Sequence, residues 1–283
     1  MKNNIFKFED LCFILLTFIF SWTAWLILIG SGISSASQDN PLLLLWYLGQ
    51  LGPGLSAVIC SILFRNNRGF KFFNKKSKGL EVGSKSAMSS FKLVLVSISF
   101  PLIWLIPSIG YSIFISKSEF IISPAYLLMN LIPAFIFSFT EELGWRGFLF
   151  RNISTRLSIY KGSIIIGLIW GIWHLPILYF SSFKDPNQFI FFLSTYIPTL
   201  VLWSIIFGWL FKASNQSILA VTISHTLFTV SYNLMMPFIS VSVISASILP
   251  MTTTLIIVMY IISKKSFTFK VKESLFELVF LTL

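Results

Sequence analysis

Charge is what this chain has least of. Only 11% of its 283 residues are Asp, Glu, Lys or Arg, whereas a soluble domain carries about 25%. That deficit leaves too little polar surface to coat a water-soluble globule. It excludes a soluble α/β core, which needs charged outer faces between its buried runs. Cysteine is scarcer still: Cys12 and Cys60 both fall inside apolar runs, so neither a disulfide framework nor a zinc-binding cysteine cluster is indicated. Histidine occurs twice, as His174 and His225, and no H-E-x-x-H helix exists. Nothing resembling a nucleic-acid module accompanies the net charge of +11, and no internal repeat or separate soluble domain is apparent.

In place of charge the chain has long apolar runs. It is 55% hydrophobic, with 31 phenylalanines and a mean hydropathy of +0.84. Charge-free stretches run Leu11–Gln38, Asn40–Phe64, Leu93–Ser116, Phe120–Thr140 and Ala213–Ser263. A bilayer core needs roughly 20 apolar residues per helix, so the chain reads as an all-α, polytopic membrane protein, one integral membrane domain over 1–283. The runs predict about eight transmembrane helices, near 11–30, 42–64, 92–115, 121–145, 160–180, 189–211, 217–236 and 239–262. The stretch from Ala213 to Ser263 would make one helix of about 76 Å, so a turn is expected at Pro237 and a kink at Pro250. Glu9 and Asp10 directly precede the first run, which is long for a signal-peptide h-region and reads as a retained span.

Lysines and arginines orient this scheme. Of the 21, all but Lys117 and Lys184 fall on one side, which the positive-inside rule makes cytoplasmic, together with both termini. The expected location is the cell membrane, multi-pass. Basic loops facing an anionic leaflet account for the net charge, so the bilayer is the expected partner and no nucleic acid is.

Against this background the segment "FSFTEELGWRGFLF", residues 137–150, stands out. A charged side chain at mid-membrane costs at least about 2.5–3.5 kcal/mol, so such groups normally face a polar cavity. Glu142 and Arg146 have the i, i+4 spacing of a same-face ion pair, while Glu141 is turned about 100° away. One carboxylate can be neutralised while the other works. Gly144 and Gly147 remove bulk, so a neighbouring helix or substrate backbone can come close. Counted from the helix ends, Glu141, His174 and His225 all lie in the cytoplasmic half or at the midplane, on three helices, where they could share a water-filled pocket open to the cytoplasm. Each has a plain structural reading too: an ion pair at a helix end, a hydrogen-bonded packing histidine, and Trp170 and Trp173 packed against neighbours or lipid. The case for function is the conjunction of two carboxylates and both histidines at one depth.

In order along the chain, "EELGWRG" (Glu141, Glu142, Arg146), "WGIWH" (Trp170 to His174) and "HTLFT" (His225 to Thr229) resemble the EExxxR, FxxxH and HxxxN motifs of the CAAX-protease and bacteriocin-processing intramembrane proteases. The first motif matches fully; the others are short, and their order and spacing carry the match. The resemblance covers about residues 125–235. It implies an intramembrane endopeptidase acting on a membrane protein or lipidated peptide, in CAAX-type processing, bacteriocin processing or self-immunity. The site it implies is Glu141, Glu142, Arg146, His174, His225 and Thr229. Trp170 stands where the family has phenylalanine, keeping an aromatic ring, and Thr229 where it has asparagine.

Two chemistries fit that resemblance. In one, Glu141, His174 and His225 bind zinc with water in the open position, and Glu142 or Glu141 acts as the base. In the other no metal takes part, and Glu141 with His174 polarises the water directly. A proton-coupled transporter would also place Glu and His inside the membrane, though it does not account for Glu-Glu-x-x-x-Arg. A member of the family that keeps the fold as an immunity or scaffold protein without catalysis is the third alternative, prompted by Thr229.

Overall fold

The computed structural model describes residues 5–32, 41–64, 95, 98–99, 110, 114, 124–182 and 186–235. Among the described residues the structure is helical, with no strand. Helix α1 spans Phe8–Gly30. A short 3-10 turn, Pro41–Leu43, leads into α2 (Leu44–Gln50), and α3 follows at Gly52–Leu63. Helix α4, Pro124–Glu142, continues without a break into a π-helical segment, Leu143–Phe150, and a closing turn, Arg151–Ile153. Then come α5 (Ile159–Trp173), α6 (Leu175–Ser182), α7 (Pro186–Ala213) and α8 (Ile218–Met235).

Three of these segments are long and apolar enough to cross a membrane: Phe8–Gly30, Leu127–Ile153 and Tyr196–Ala213. The α2–α3 pair makes a fourth if it is one span bent by 53°. The chain is a multi-pass membrane protein. The expected helices at 92–115 and 239–262, and the turn at Pro237, lie outside the described residues.

Two expected single helices are broken. That expected over 42–64 bends at Leu51, just before Pro53, which sits in the first turn of α3, where a missing N–H costs nothing. That expected over 160–180 stops at His174, the C-cap of α5, and restarts as α6 with Pro176 in its first turn. The residues before a proline resist the α conformation, and its ring blocks the carbonyl four residues back. A third expectation, that the fourth helix ends near 145, also fails: the helix runs on to Ile153.

The packed interior of the helices mixes polar side chains with large apolar ones. On α1 the buried residues are Asp10, Phe13, Thr17, Ser21, Ala24, Trp25 and Leu28, at three- and four-residue steps, while Leu11, Leu15, Ile19, Leu26 and Ile27 are exposed. Small and polar groups share the inward face with Phe13, Trp25 and Leu28, while other large apolar residues turn outward, because association in a bilayer rests on close packing and internal hydrogen bonds. Two of those bonds tie α1 to α2: Ser21 Oγ donates to the Gly49 carbonyl at 2.7 Å, and Trp25 Nε1 donates to the Trp46 carbonyl at 3.1 Å.

Helices α5 and α7 run antiparallel with their backbones in close approach. A Cβ placed on Gly208 would fall 2.1 Å from Ser163 Oγ, and one on Gly167 would fall 2.6 Å from Val201 Cα. The same pairing puts the start of α5 beside the end of α7. The N-terminal end of α1 joins them there, since Asp10, itself buried, pairs with Arg156 in the α4–α5 loop and accepts from Asn152 Nδ2 at 3.2 Å. One face of the molecule is thereby defined, and depth along the helices can be counted from it.

Candidate active site

The site begins where α4 gives way to the π-helical segment. Glu141 and Glu142 are its last α-helical residues, and Arg146 lies inside the wider π turn. Insertions of this kind cluster at functional sites, because the extra residue per turn aims side chains that an α-helix would turn elsewhere. Gly144 makes room for it: a Cβ there would lie 2.6 Å from the Pro53 carbonyl oxygen at the start of α3. The close approach expected of this glycine is to a neighbouring helix.

All three ionisable groups of the first motif are buried: Glu141 5% exposed, Glu142 and Arg146 0%. Arg146 Nη1 donates to Glu142 Oε1 at 3.0 Å, and Nη2 to Ser204 Oγ on α7 at 3.1 Å. Ser204 Oγ in turn donates to the Ser163 carbonyl on α5 at 2.8 Å. The guanidinium lies over the rings of Phe207 and Trp170, 5.1 and 5.5 Å from their centroids. A buried charge without such partners is strongly destabilising. Sequence reasoning passed over Ser204, the single polar residue in the run "VLWSIIFGW"; an isolated hydroxyl in an apolar helix is the signal that could have found it.

The histidines enter from α5 and α8. His225, 4% exposed, places Nδ1 2.8 Å from Glu142 Oε1. An ionised carboxylate only accepts, so Nδ1 carries the proton and Nε2 is left for other work. His174 places Nδ1 2.8 Å from the Trp170 carbonyl, and a carbonyl likewise only accepts, so the same tautomer results. Around His174 stand Trp173, Trp170 and Tyr196, with centroids at 4.6, 5.5 and 5.8 Å. Glu141 takes a different partner: Trp170 Nε1 donates to its Oε2 at 2.7 Å. Thr229 is half-buried on α8, one turn beyond His225.

The six residues singled out from sequence therefore divide. Glu142, Arg146 and His225 form one bonded network. Glu141 and His174 reach it through Trp170, and Thr229 lies one turn beyond His225 on the same helix. The hydrogen bond of His225 goes to Glu142, the carboxylate that also pairs with Arg146. Measured along the helices at about 1.5 Å per residue, His225 lies about 10 Å, Trp170 about 16 Å and His174 about 22 Å from the end of its helix at the common face.

The three expected zinc ligands do not fit that role in this arrangement. Among the described residues, no three His, Cys, Asp or Glu side chains come together as a group able to hold a metal ion. The Trp170 indole touches all three expected ligands, bonded to Glu141 and edge-on to both imidazoles.

Fold and site together define a multi-pass membrane protein with a buried carboxylate–arginine–histidine centre. Residues 123–231, the segment that contains this centre, match the family of Rce1-like type II CAAX prenyl endopeptidases, and the chain is similar to that family over this segment. It is 26% identical over 243 residues to CAAX prenyl protease 2 of Methanococcus maripaludis, covering 81% of this chain and 86% of that protein. It is 25% identical to Lysostaphin resistance protein A of Staphylococcus haemolyticus over 223 residues, 75% of this chain and 55% of the relative. The same-named protein of Staphylococcus epidermidis is 25% identical over 220 residues, 75% of this chain and 52% of the relative. The match thus spans about half the length of these staphylococcal relatives.

Proposed function

We propose that this chain is an intramembrane endopeptidase that hydrolyses a peptide bond of a membrane-associated protein or peptide, at a site open to the cytoplasm. The observation that carries the reading is the division of labour between adjacent carboxylates. Glu142 is committed through Oε1 to both Arg146 and His225, whereas Glu141 is held by one neutral indole and has no ion-pair partner among the described contacts. In this reading Glu141 is the base. It takes a proton from water as the water oxygen attacks the scissile carbonyl carbon. His225 Nε2, oriented by Glu142, and Thr229 face the developing oxyanion. When the C–N bond breaks, the proton held by Glu141 passes to the leaving nitrogen, and an amine and a carboxylic acid result, the acid then losing its remaining proton to solvent. No step in this scheme passes through a metal.

An apolar groove lined by Leu131, Ile132, Phe135, Ile136, Ile223 and Leu227 runs between α4 and α8, the helices that carry the two glutamates and His225. A hydrophobic substrate segment, whether transmembrane or lipid-bearing, would lie there beside the site. The basic asymmetry of the loops supports eight spans, both termini in the cytoplasm and access from that side.

The test uses purified protein in liposomes and two probes, a farnesylated peptide ending in C-a-a-X and the same peptide unmodified, with cleavage followed by mass spectrometry. Cleavage is expected, with loss in Glu141→Ala, His174→Ala and His225→Ala and retention in Glu9→Ala. Full activity in His225→Ala would exclude this site. Folded wild-type protein that cleaves neither probe would favour the second reading, a non-catalytic family member. Thr229 in place of asparagine motivates that reading, and the staphylococcal relatives named for lysostaphin resistance give it an immunity or resistance setting.

A further inference from the structure

We infer that Trp170 is the positioning residue of this site, and that its indole N–H holds Glu141 in its working orientation. The side chain is 1% exposed and meets the other motif residues in four ways. Its Nε1 donates to Glu141 Oε2 at 2.7 Å. Its face takes the Arg146 guanidinium at 5.5 Å. Its ring stands edge-on to His225 at 5.2 Å and to His174 at 5.5 Å. Its backbone carbonyl receives His174 Nδ1 at 2.8 Å.

Of these four, only the first needs a tryptophan. A phenylalanine here, as in the FxxxH pattern, would keep a ring against both imidazoles and the guanidinium, and would keep the backbone carbonyl. It could not donate to Glu141. The distinction matters because Arg146 and His225 both bond the other carboxylate, Glu142. Without the indole bond, the Glu141 carboxylate would turn about its last torsion, which is soft and roughly two-fold. With it, Oε2 is pinned and Oε1 is the oxygen presented as base. Misplacing a reacting group by about 1 Å can cost on the order of 10²-fold in rate, so a bond that fixes one oxygen is a kinetic device. The kinetic part of this inference rests on the protease reading; the orientation of Glu141 does not.

The experiment therefore has two arms. In the first, the full chain is labelled with 15N-tryptophan in detergent micelles. Its nine tryptophans give one indole signal each, and Trp170→Phe identifies the signal of Trp170 by its disappearance. That signal is expected to move in Glu141→Gln and to stay in place in Glu9→Gln. In the second arm, Trp170→Phe is assayed on the farnesylated C-a-a-X peptide. The expected result is a fall in kcat of about 10- to 100-fold at unchanged KM and Tm, the pattern of an interaction made in the transition state. An indole signal indifferent to Glu141→Gln, a Phe variant with wild-type kcat, or a loss of kcat matched by a loss of Tm would each overturn the inference. Wild-type protein that cleaves no probe would defeat the protease reading, while the first arm still decides whether the indole holds Glu141.

Discussion

At the scale of single residues, the chemistry depends on which donor reaches which oxygen. Thr229 illustrates this. It follows His225 by four residues, about 40° around the helix, so it lies on the same helix face one turn away. A threonine hydroxyl offers one donor where an asparagine amide offers two. Losing a well-placed oxyanion donor costs about 10²–10³ in kcat, and a weaker donor less. Thr229→Val, which keeps the shape and drops the hydroxyl, is expected to slow cleavage at least about tenfold without a change in Tm. Thr229→Asn is expected to keep or raise the rate. A Val variant as fast as wild type would make Thr229 a packing residue. Asn restoring cleavage to an inert wild type would identify a lapsed enzyme. The departure at Thr229 was visible in the sequence because a motif defines the position. The donor role of Trp170 was not, because aromatic-for-aromatic exchange looks conservative until the partner of the indole N–H is known.

At the scale of elements, the π-helical segment Leu143–Phe150 organises the site, and small residues let it form where it does. Gly144 has no room for a methyl group, since a Cβ would sit 2.6 Å from the Pro53 carbonyl, a backbone atom that cannot swing aside. Gly167 is blocked in the same way by Val201 Cα at 2.6 Å, whereas at Gly162 the nearest atom is 3.4 Å off, an ordinary contact. Gly144→Ala and Gly167→Ala are therefore expected to destabilise by about 1–3 kcal/mol through overpacking. Gly162→Ala should be neutral or gain up to about 1 kcal/mol from helix propensity. Thermal unfolding in detergent reads the contrast, and equal Tm values for all three variants would contradict the helix contacts described. The glycines were legible as sites of close approach. The π segment was not, because "EELGWRG" has ordinary helical spacing.

At the scale of the whole molecule, α1 alone runs 23 residues, about 34 Å at 1.5 Å per residue, enough to span a core of about 30 Å. Its first turn is tied through Asp10 to Arg156, so the α4–α5 loop and the start of α1 share a face. Ser31 stands exposed at the other end of α1, and Thr155 is exposed in that loop. In a background of Cys12→Ser and Cys60→Ala, single cysteines at Ser31 and Thr155 are expected to react with a membrane-impermeant thiol reagent from opposite sides, Thr155 from the cytoplasm. Labelling from one side only would refute the proposed orientation.

The sequence by itself determined the solvent, the class of element and the parts of the centre. Eleven per cent charge cannot coat a globule in water, apolar runs near 20 residues can satisfy their backbone in lipid only as helices or closed barrels, and Glu141, Glu142, Arg146, His174 and His225 are too costly to bury singly. Only the tertiary structure decided the wiring. The partner of His225 is Glu142, the partner of Glu141 is Trp170, and Ser204 completes the coordination of Arg146. Those pairings join residues 29 to 83 positions apart on different helices. Periodicity along one helix tells which face a side chain occupies, but not which neighbour it meets; that depends on helix breaks at Leu51 and His174, on the π segment and on the close antiparallel register of α5 and α7.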